Sequence, residues 1–299
     1  MTSLEDSILR TVLYADVFNF PLTADEIHHY LIHPVPTSFA SVERALAQSE
    51  RLQQLMSCVD GYFMCAGRES LAQLRSERES ASDALWGKAL RYGAWLARLP
   101  FVRMVALTGA LAVRNATPND DIDYVIVTAD RRVWLARALA IIIVRLARLR
   151  GVYLCPNYVL SEQALAQERQ NLYIAHEISQ MIPLSGHEVY LRMRHANSWV
   201  KGHLANADAP LYPTNMDRDV AKMQRLKQVV EQFLGGWLGD VLEDWERERK
   251  LRRFAPSITH SSSAQLDAQK VKGHFSDHGH PALAAYHERL HAHGIAVDA

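Results

Sequence analysis

The stretch Leu107-Thr108-Gly109-Ala110-Leu111-Ala112-Val113-Arg114-Asn115, followed by Asn119-Asp120-Asp121-Ile122-Asp123-Tyr124-Val125-Ile126-Val127, decides how this chain folds. Its first half closes an apolar, β-branched run, Val102 to Thr108, with a glycine. Its second half opens with acids and continues as another apolar run, Ile122 to Thr128. Both runs have the length and composition of strands. Side chains two apart on a strand share a face, so Asp121 and Asp123 aim together while Ile122 points into packing. Two such carboxylates make a hard oxygen site suited to magnesium, which keeps several waters and takes further ligands from phosphates. A glycine at the end of the preceding strand lets backbone amides approach a phosphate closely.

Outward from this stretch, Arg68 to Leu99 has no proline until Pro100 and reads as one or two helices. Arg131 to Arg150 is helical by composition, and Val152 to Leu160 returns to strand-like residues despite Pro156. The order strand, loop, strand, helix, strand predicts a mixed sheet with helices, an α+β fold.

A glycine-serine at the end of one strand, then about a dozen residues to an Asp-x-Asp that begins the next, is the hallmark of the nucleotidyltransferase superfamily, which includes polymerase-beta-like enzymes and the CCA-adding enzymes. This chain resembles that family at Gly109 and at Asp121-Ile122-Asp123, and differs at Ala110, where the family has serine. The resemblance implies a nucleotidyltransferase-type sheet with Asp121 and Asp123 as catalytic metal ligands. It also implies Mg2+ or Mn2+ as cofactor and a nucleoside triphosphate as substrate, with phosphate contacts through the backbone of Gly109 and Ala110. Asn115 is expected to order the loop between the two halves.

The family's third carboxylate belongs on a later strand. Here that strand, Tyr153 to Leu160, has no acid, and Asn157 is its polar residue of ligand type. Glu162, Glu168 and Glu177, further on, are acids that could take the missing place. Two functions follow: a metal-dependent transfer of a nucleoside monophosphate to an acceptor, or a catalytically degenerate nucleotide-binding or adaptor protein that keeps the fold. The acceptor could be a small molecule, a protein or a nucleic acid.

The N-terminal residues 1–70 predict three short helices and a hairpin. Leu4, Ile8, Leu9, Val12 and Leu13 recur at helical spacing, Thr23 and Glu26 have capping-box spacing, and Thr37 or Ser38 can cap a third helix carrying Phe39, Val42, Leu46 and Leu52. Asp60-Gly61 then marks a two-residue hairpin turn, in which Cys58 faces Phe63. This order, with Tyr14-Ala15-Asp16-Val17-Phe18 and Pro21-Leu22-Thr23, resembles the winged helix that precedes nucleotidyltransferase domains in a group of uncharacterised proteins. Arg44 and Arg51 on its third helix are offset by Glu43 and Glu50, so protein packing is favoured over DNA binding.

Residues 71–205 then form the nucleotidyltransferase-like domain with its lead-in helix. Asn171 to Met181 and Ala196 to Val200 also resemble that group, and Ser161 to Leu204 is read as helical with a break at Pro183. His176, Asn197 and Trp199 are read as packing residues rather than pocket residues. Residues 206–299 are a helical region, Asp217 to Phe254 with Gly235-Gly236 as a kink, and then a polar tail rich in histidine. In that tail His287 and His291 have the spacing of a metal pair, and His274, His278 and His280 cluster around Asp277, but solvated surface is the reading preferred.

Composition narrows the classes. Lysine plus arginine and aspartate plus glutamate both number 33, so the net field attracts neither nucleic acid nor anionic membrane. Cys58, Cys65 and Cys155 are too few and scattered for a disulfide framework, and Cys155 is expected in the core. The N-terminus lacks a signal-peptide pattern, and Leu135 to Leu149 is interrupted by arginines, which argues against a membrane span. A cytoplasmic protein without a membrane partner is expected.

Overall fold

The computed structural model describes residues 3–212, 214, 224–254, 266–272 and 278–296. The chain opens with α1 (Leu4–Asp16), whose N-cap Ser3 side chain accepts from the Asp6 amide. In α2 (Ala24–His29) the capping box is formed in both directions, Thr23 to Glu26 and back. The single helix expected after Ser38 is two: α3 (Phe39–Gln48) and α4 (Glu50–Leu55). Ser49 is extended between them and its side chain caps the second, so a serine that competes for backbone bonds splits the run. Strands β1 (Met56–Val59) and β2 (Tyr62–Cys65) pair with Cys58 opposite Phe63, as the turn residues required. Asp60 and Gly61 both take positive φ, which only such turn residues accept at little cost.

Helix α5 (Leu71–Ala97) leads into the sheet. Then come β3 (Val102–Thr108), the short α6 (Gly109–Ala112), β4 (Ile122–Thr128), α7 (Val133–Arg148) and β5 (Leu154–Ser161). The two strands of the deciding stretch are the central ones. They run antiparallel, and β4 pairs parallel with β5.

Beyond β5 the segment expected to be helical with one break at Pro183 holds a strand at that break. Residues α8 (Leu172–Gln180) and α9 (His187–Ala196) flank a strand, β6 (Ile182–Ser185), that pairs with β3. Pro183 is tolerated there because β6 is an edge strand with one side unpaired. The region after residue 223 holds α10 (Gln224–Leu234) and α11 (Trp237–Phe254), which Gly235 and Gly236 separate outright, while 217–223 of the expected helix lie outside the described residues.

The tail is not simply solvated surface. Strand β7 (Lys270–Lys272) pairs with β5 and completes a five-stranded mixed sheet in the order β6-β3-β4-β5-β7. Helix α12 (Gly279–Ala292) returns to the N-terminus, where Tyr286 meets Tyr14 edge-on at 5.4 Å and Arg289 bonds Asp16 at 2.7 Å.

The sheet is buried on both faces, which is why its strands read as continuous apolar runs. Val105, Leu107, Tyr124, Ile126 and Val159 point into one core with residues of α5 and α7. Met104, Ala106, Val125, Val127 and Leu160 point into another, shared with α1, α2, α8, α9 and α12. The alternation is the period of two expected of a strand. This second core runs across residue 70, so the N-terminal helices and the sheet are packed as one body of side chains. A buried ion pair supports that join: Arg75 of α5 donates to Glu26 and Glu79, both at 2.8 Å, and lies over the Phe20 ring at 4.2 Å. Among the described residues no helix is long and apolar enough to cross a membrane.

Candidate metal centre

Gly109 stands where β3 ends, with φ of +70°. That backbone conformation is open to glycine and strained for other residues. It also faces Asp123, because Thr108 is the register partner of Asp123 across the antiparallel pair. A β-carbon added to Gly109 would overlap the Asp123 carboxylate oxygen and stand 3.2 Å from its Cγ. The glycine is therefore needed twice, for its φ and for the space its missing side chain leaves to a carboxylate.

Asp121 is exposed and Asp123 half-buried, while Ile122 between them is fully buried on the other face. The two acids share a side as the strand period requires. Cys155 joins them: it is the register partner of Asp123 on the parallel strand β5. Ligand atoms of Asp121, Asp123 and Cys155 all lie within 4.8 Å of one another. Cys155 is thus half-buried at a polar cluster rather than lost in the core.

The reason that Cys155 takes this place is a bulge. Between Asp123↔Cys155 and Val125↔Tyr158, strand β5 advances one residue more than β4. The extra residue falls at Pro156-Asn157, where proline has no N–H to give to the ladder. Asn157, expected as a metal ligand, sits in that irregular step, two residues beyond the cysteine opposite Asp123.

The electrostatics of the cluster are those of an anionic site. Burial first, then the charges of Asp121, Glu177 and Asp120, push the Asp123 carboxyl up to about 7, against a hydrogen bond from Cys155 that acts the other way. Burial and the two carboxylates likewise hold the Cys155 thiol well above its ordinary range. A divalent cation would relieve both, since it replaces carboxylate repulsion with attraction.

Of the three downstream acids, Glu177 on α8 is the one whose charge reaches Asp123. It is not within the 4.8 Å cluster. Glu162 pairs with Arg192 at 3.1 Å and Glu168 with Lys270 at 2.8 Å, away from the site.

The loop between the strands is tied down at several points. Asn115 donates its amide to the Ala110 carbonyl at 2.8 Å, and its side-chain oxygen accepts from Arg78 at 2.9 Å. The Ala116 amide donates to Ser82 at 3.1 Å, and Asp120 accepts from both the amide and the hydroxyl of Thr117. Through these bonds α5 holds the loop that carries Asp120 and Asp121.

The residues read as packing have contacts that fit that role. His176 is buried and stacks on Tyr14 with ring centroids 4.1 Å apart. Asn197 accepts from the Gln167 amide and donates to the carbonyls of Leu165 and Met193, and Trp199 reaches Asn197 at 3.3 Å. In the tail, His287 and His291 are exposed, and His274 and Asp277 lie outside the described residues. Among the described residues, Asp121, Asp123 and Cys155 are the only group of three or more histidine, cysteine and acidic side chains close enough to share a metal ion.

Sequence reasoning missed Cys155 because its neighbours on β5 suggested a core strand. The signal that could have found it is the proline next to it, which marks an interrupted ladder. No family model matches this chain, and neither a curated protein nor a solved structure matches it.

Proposed function

We propose that this protein is a nucleotidyltransferase-like enzyme that uses a divalent cation to move a nucleoside monophosphate from a nucleoside triphosphate to an acceptor. The observation that carries this reading is the carboxylate of Asp123 lying against Gly109 at the strand junction, with Asp121 beside it. In this reading the sheet is of the nucleotidyltransferase type and the N-terminal helices with the β1–β2 hairpin are a winged helix used for packing.

Asp121 and Asp123 would hold the cation, and Cys155 would be its third protein ligand. Two hard oxygens and one soft sulfur fit Mn2+ or Zn2+ better than Mg2+, which prefers oxygen alone. Once bound, the cation neutralises charge on the phosphate oxygens during an in-line displacement. The backbone amides of Gly109 and Ala110 lie next to this position, and Asn115 keeps their loop in place through Arg78. Basic and acidic residues balance over the chain, so a hydroxyl or phosphate of a small molecule or protein suits this reading as well as a nucleic acid.

Two substitutions favour a second reading, an adaptor that binds nucleotide without turning it over. Ala110 lacks the hydroxyl that the resembled family places in the phosphate turn, and Cys155 stands where a carboxylate could act as base. Purified protein incubated with Mg2+, Mn2+ or Zn2+ and labelled nucleoside triphosphates separates the two. Label transferred by the parent and not by an Asp121→Asn, Asp123→Asn double variant supports the transferase. Cation-dependent nucleotide binding with no transfer and no pyrophosphate release supports the adaptor. Absence of any cation-dependent binding rejects both.

A further inference from the structure

Helices α10 and α11 turn several of their charges onto the rest of the molecule, beside Leu234 and Leu251, which pack against the sheet core, and leave six large apolar residues in water. On α10, Lys227 donates to the carbonyls of Ala97 and Val102, and Glu231 accepts from the Phe101 amide and from Arg103. On α11, Glu243 accepts from the amides of Trp134 and Leu135 at the start of α7, and Glu243, Glu246 and Lys250 are all less than a tenth exposed. The outward residues are Leu226, Val229, Phe233, Trp237, Val241 and Trp245. Phe233 is 72% exposed, Trp237 75% and Trp245 60%, and the three aliphatic ones are each more than half exposed. A surface helix ordinarily does the reverse.

The stripe is large. With a full aromatic side chain worth ~150–250 Å², the three aromatics alone leave roughly 400 Å² in water, and the three aliphatics bring the total to roughly 600 Å². That is at the upper end of what a lone soluble protein leaves in one patch, and it approaches the ~800 Å² per partner of a stable interface.

The stripe is also symmetric about the Gly235-Gly236 break. Phe233 and Trp237 lie on either side of it, then Val229 and Val241, then Leu226 and Trp245. A two-fold axis at that break would set each residue of α10 against its counterpart on α11 of a second molecule, apolar on apolar throughout. The same operation brings Arg225, exposed at the outer end of α10, to the partner's Asp244, exposed next to Trp245. The two helices together carry seven basic and six acidic residues, a net charge of one that gives an anionic lipid surface little attraction.

We propose that α10 and α11 form a homodimer interface, with α10 of each copy seated on α11 of the other about a two-fold axis near Gly235-Gly236. Sedimentation equilibrium of the full chain from about 1 to 100 µM tests it, a range that brackets interfaces of this size. The parent sediments as a dimer, and a Phe233→Asp, Trp237→Asp variant as a monomer with unchanged circular dichroism. Because that variant could disturb folding, charge reversal gives an independent reading. Arg225→Asp or Asp244→Arg alone raises the dimer Kd roughly tenfold, since each contact occurs twice, and the double reversal returns it to near the parent value. A parent that stays monomeric overturns the proposal, whether the stripe is covered by the chain's own segments or co-sediments with neutral phospholipid vesicles. A dimer indifferent to the aspartates at 233 and 237, or single reversals that the double does not rescue, also overturns it.

Discussion

Gly109 and Asp123 occupy one space: the carboxylate of the second fills the volume where a side chain on the first would stand. A Gly109→Ala variant must therefore accept an unfavourable positive φ and displace the carboxylate at once. The backbone effect alone costs about 1–2 kcal/mol. Urea denaturation should show at least that loss, and Mn2+ titration should show affinity reduced tenfold or more. Unchanged Mn2+ affinity in a folded Gly109→Ala protein would detach the glycine from the site.

Cation preference follows from the sulfur. The parent should bind Mn2+, Zn2+ and Cd2+ more tightly than Mg2+, and Cd2+ should produce the ultraviolet charge-transfer band of a cadmium–thiolate bond. Cys155→Ser should abolish that band, and Cys155→Asp should move the preference toward Mg2+. A cadmium complex without the band would place Cys155 outside the coordination shell.

Without a cation, the carboxylate pair is a cost to the fold, because like charges are held close with one of them half-buried. The Asp121→Asn, Asp123→Asn protein should melt at a higher temperature than the parent in chelator, and added Mn2+ should raise the parent's melting temperature but not the variant's. A parent that Mn2+ does not stabilise would remove the metal from the reading.

His176 makes the fold sensitive to acid. Burial, then the nearby His203 and His29, lower its basicity from the ordinary 6.5 to about 3, and neither ring nitrogen has a hydrogen-bond partner. The unfolded chain takes up a proton below pH 6.5 that the folded chain refuses until about pH 3. The stabilisation is therefore fully present above pH 6.5 and declines as pH falls through that window, by up to about 1.4 kcal/mol per pH unit. His176→Phe, which keeps an aromatic ring beside Tyr14, should flatten this slope in denaturation curves measured between pH 7 and 4.

The Arg75–Glu26 pair has both side chains at or below 1% exposure. Removing Arg75 leaves the Glu26 carboxylate buried without its counter-ion, at a cost of about 3–5 kcal/mol, whereas loss of Glu26 still leaves Arg75 paired with Glu79. Arg75→Leu should show that destabilisation by urea denaturation, whereas Arg51→Ala, which breaks the exposed pair with Asp6, should cost under about 1 kcal/mol.

What the sequence made legible was local. The capping box at Thr23, the turn at Asp60-Gly61 and strands β3 and β4 are each specified by residues within a few positions of one another. The pairing of Asp121 with Asp123 follows from strand period alone. What stayed hidden depends on distant partners. Residues 182–185 become a strand because β3 offers an open edge, and 270–272 become one because β5 offers the other. Cys155 reaches the acids through a register set by a bulge, which composition does not reveal. The α3–α4 division turned on one serine, Ser49, whose backbone N–H closes α3 on the Ala45 carbonyl and whose side chain opens α4 by accepting from the Leu52 amide.

The closure of α12 onto α1 sets the order in which this protein can be assembled. Arg10 donates to the carbonyl of Ala296, 286 positions on, and Asp16 accepts from Arg289, 273 positions on, so α1 is finished by residues made much later. On a ribosome, α1 emerges with Tyr14 and Ile8 needing cover long before α12 exists to give it. Such remote closure is slow, and a chain halted before residue 279 would keep part of its largest core open to solvent and to other unfinished chains.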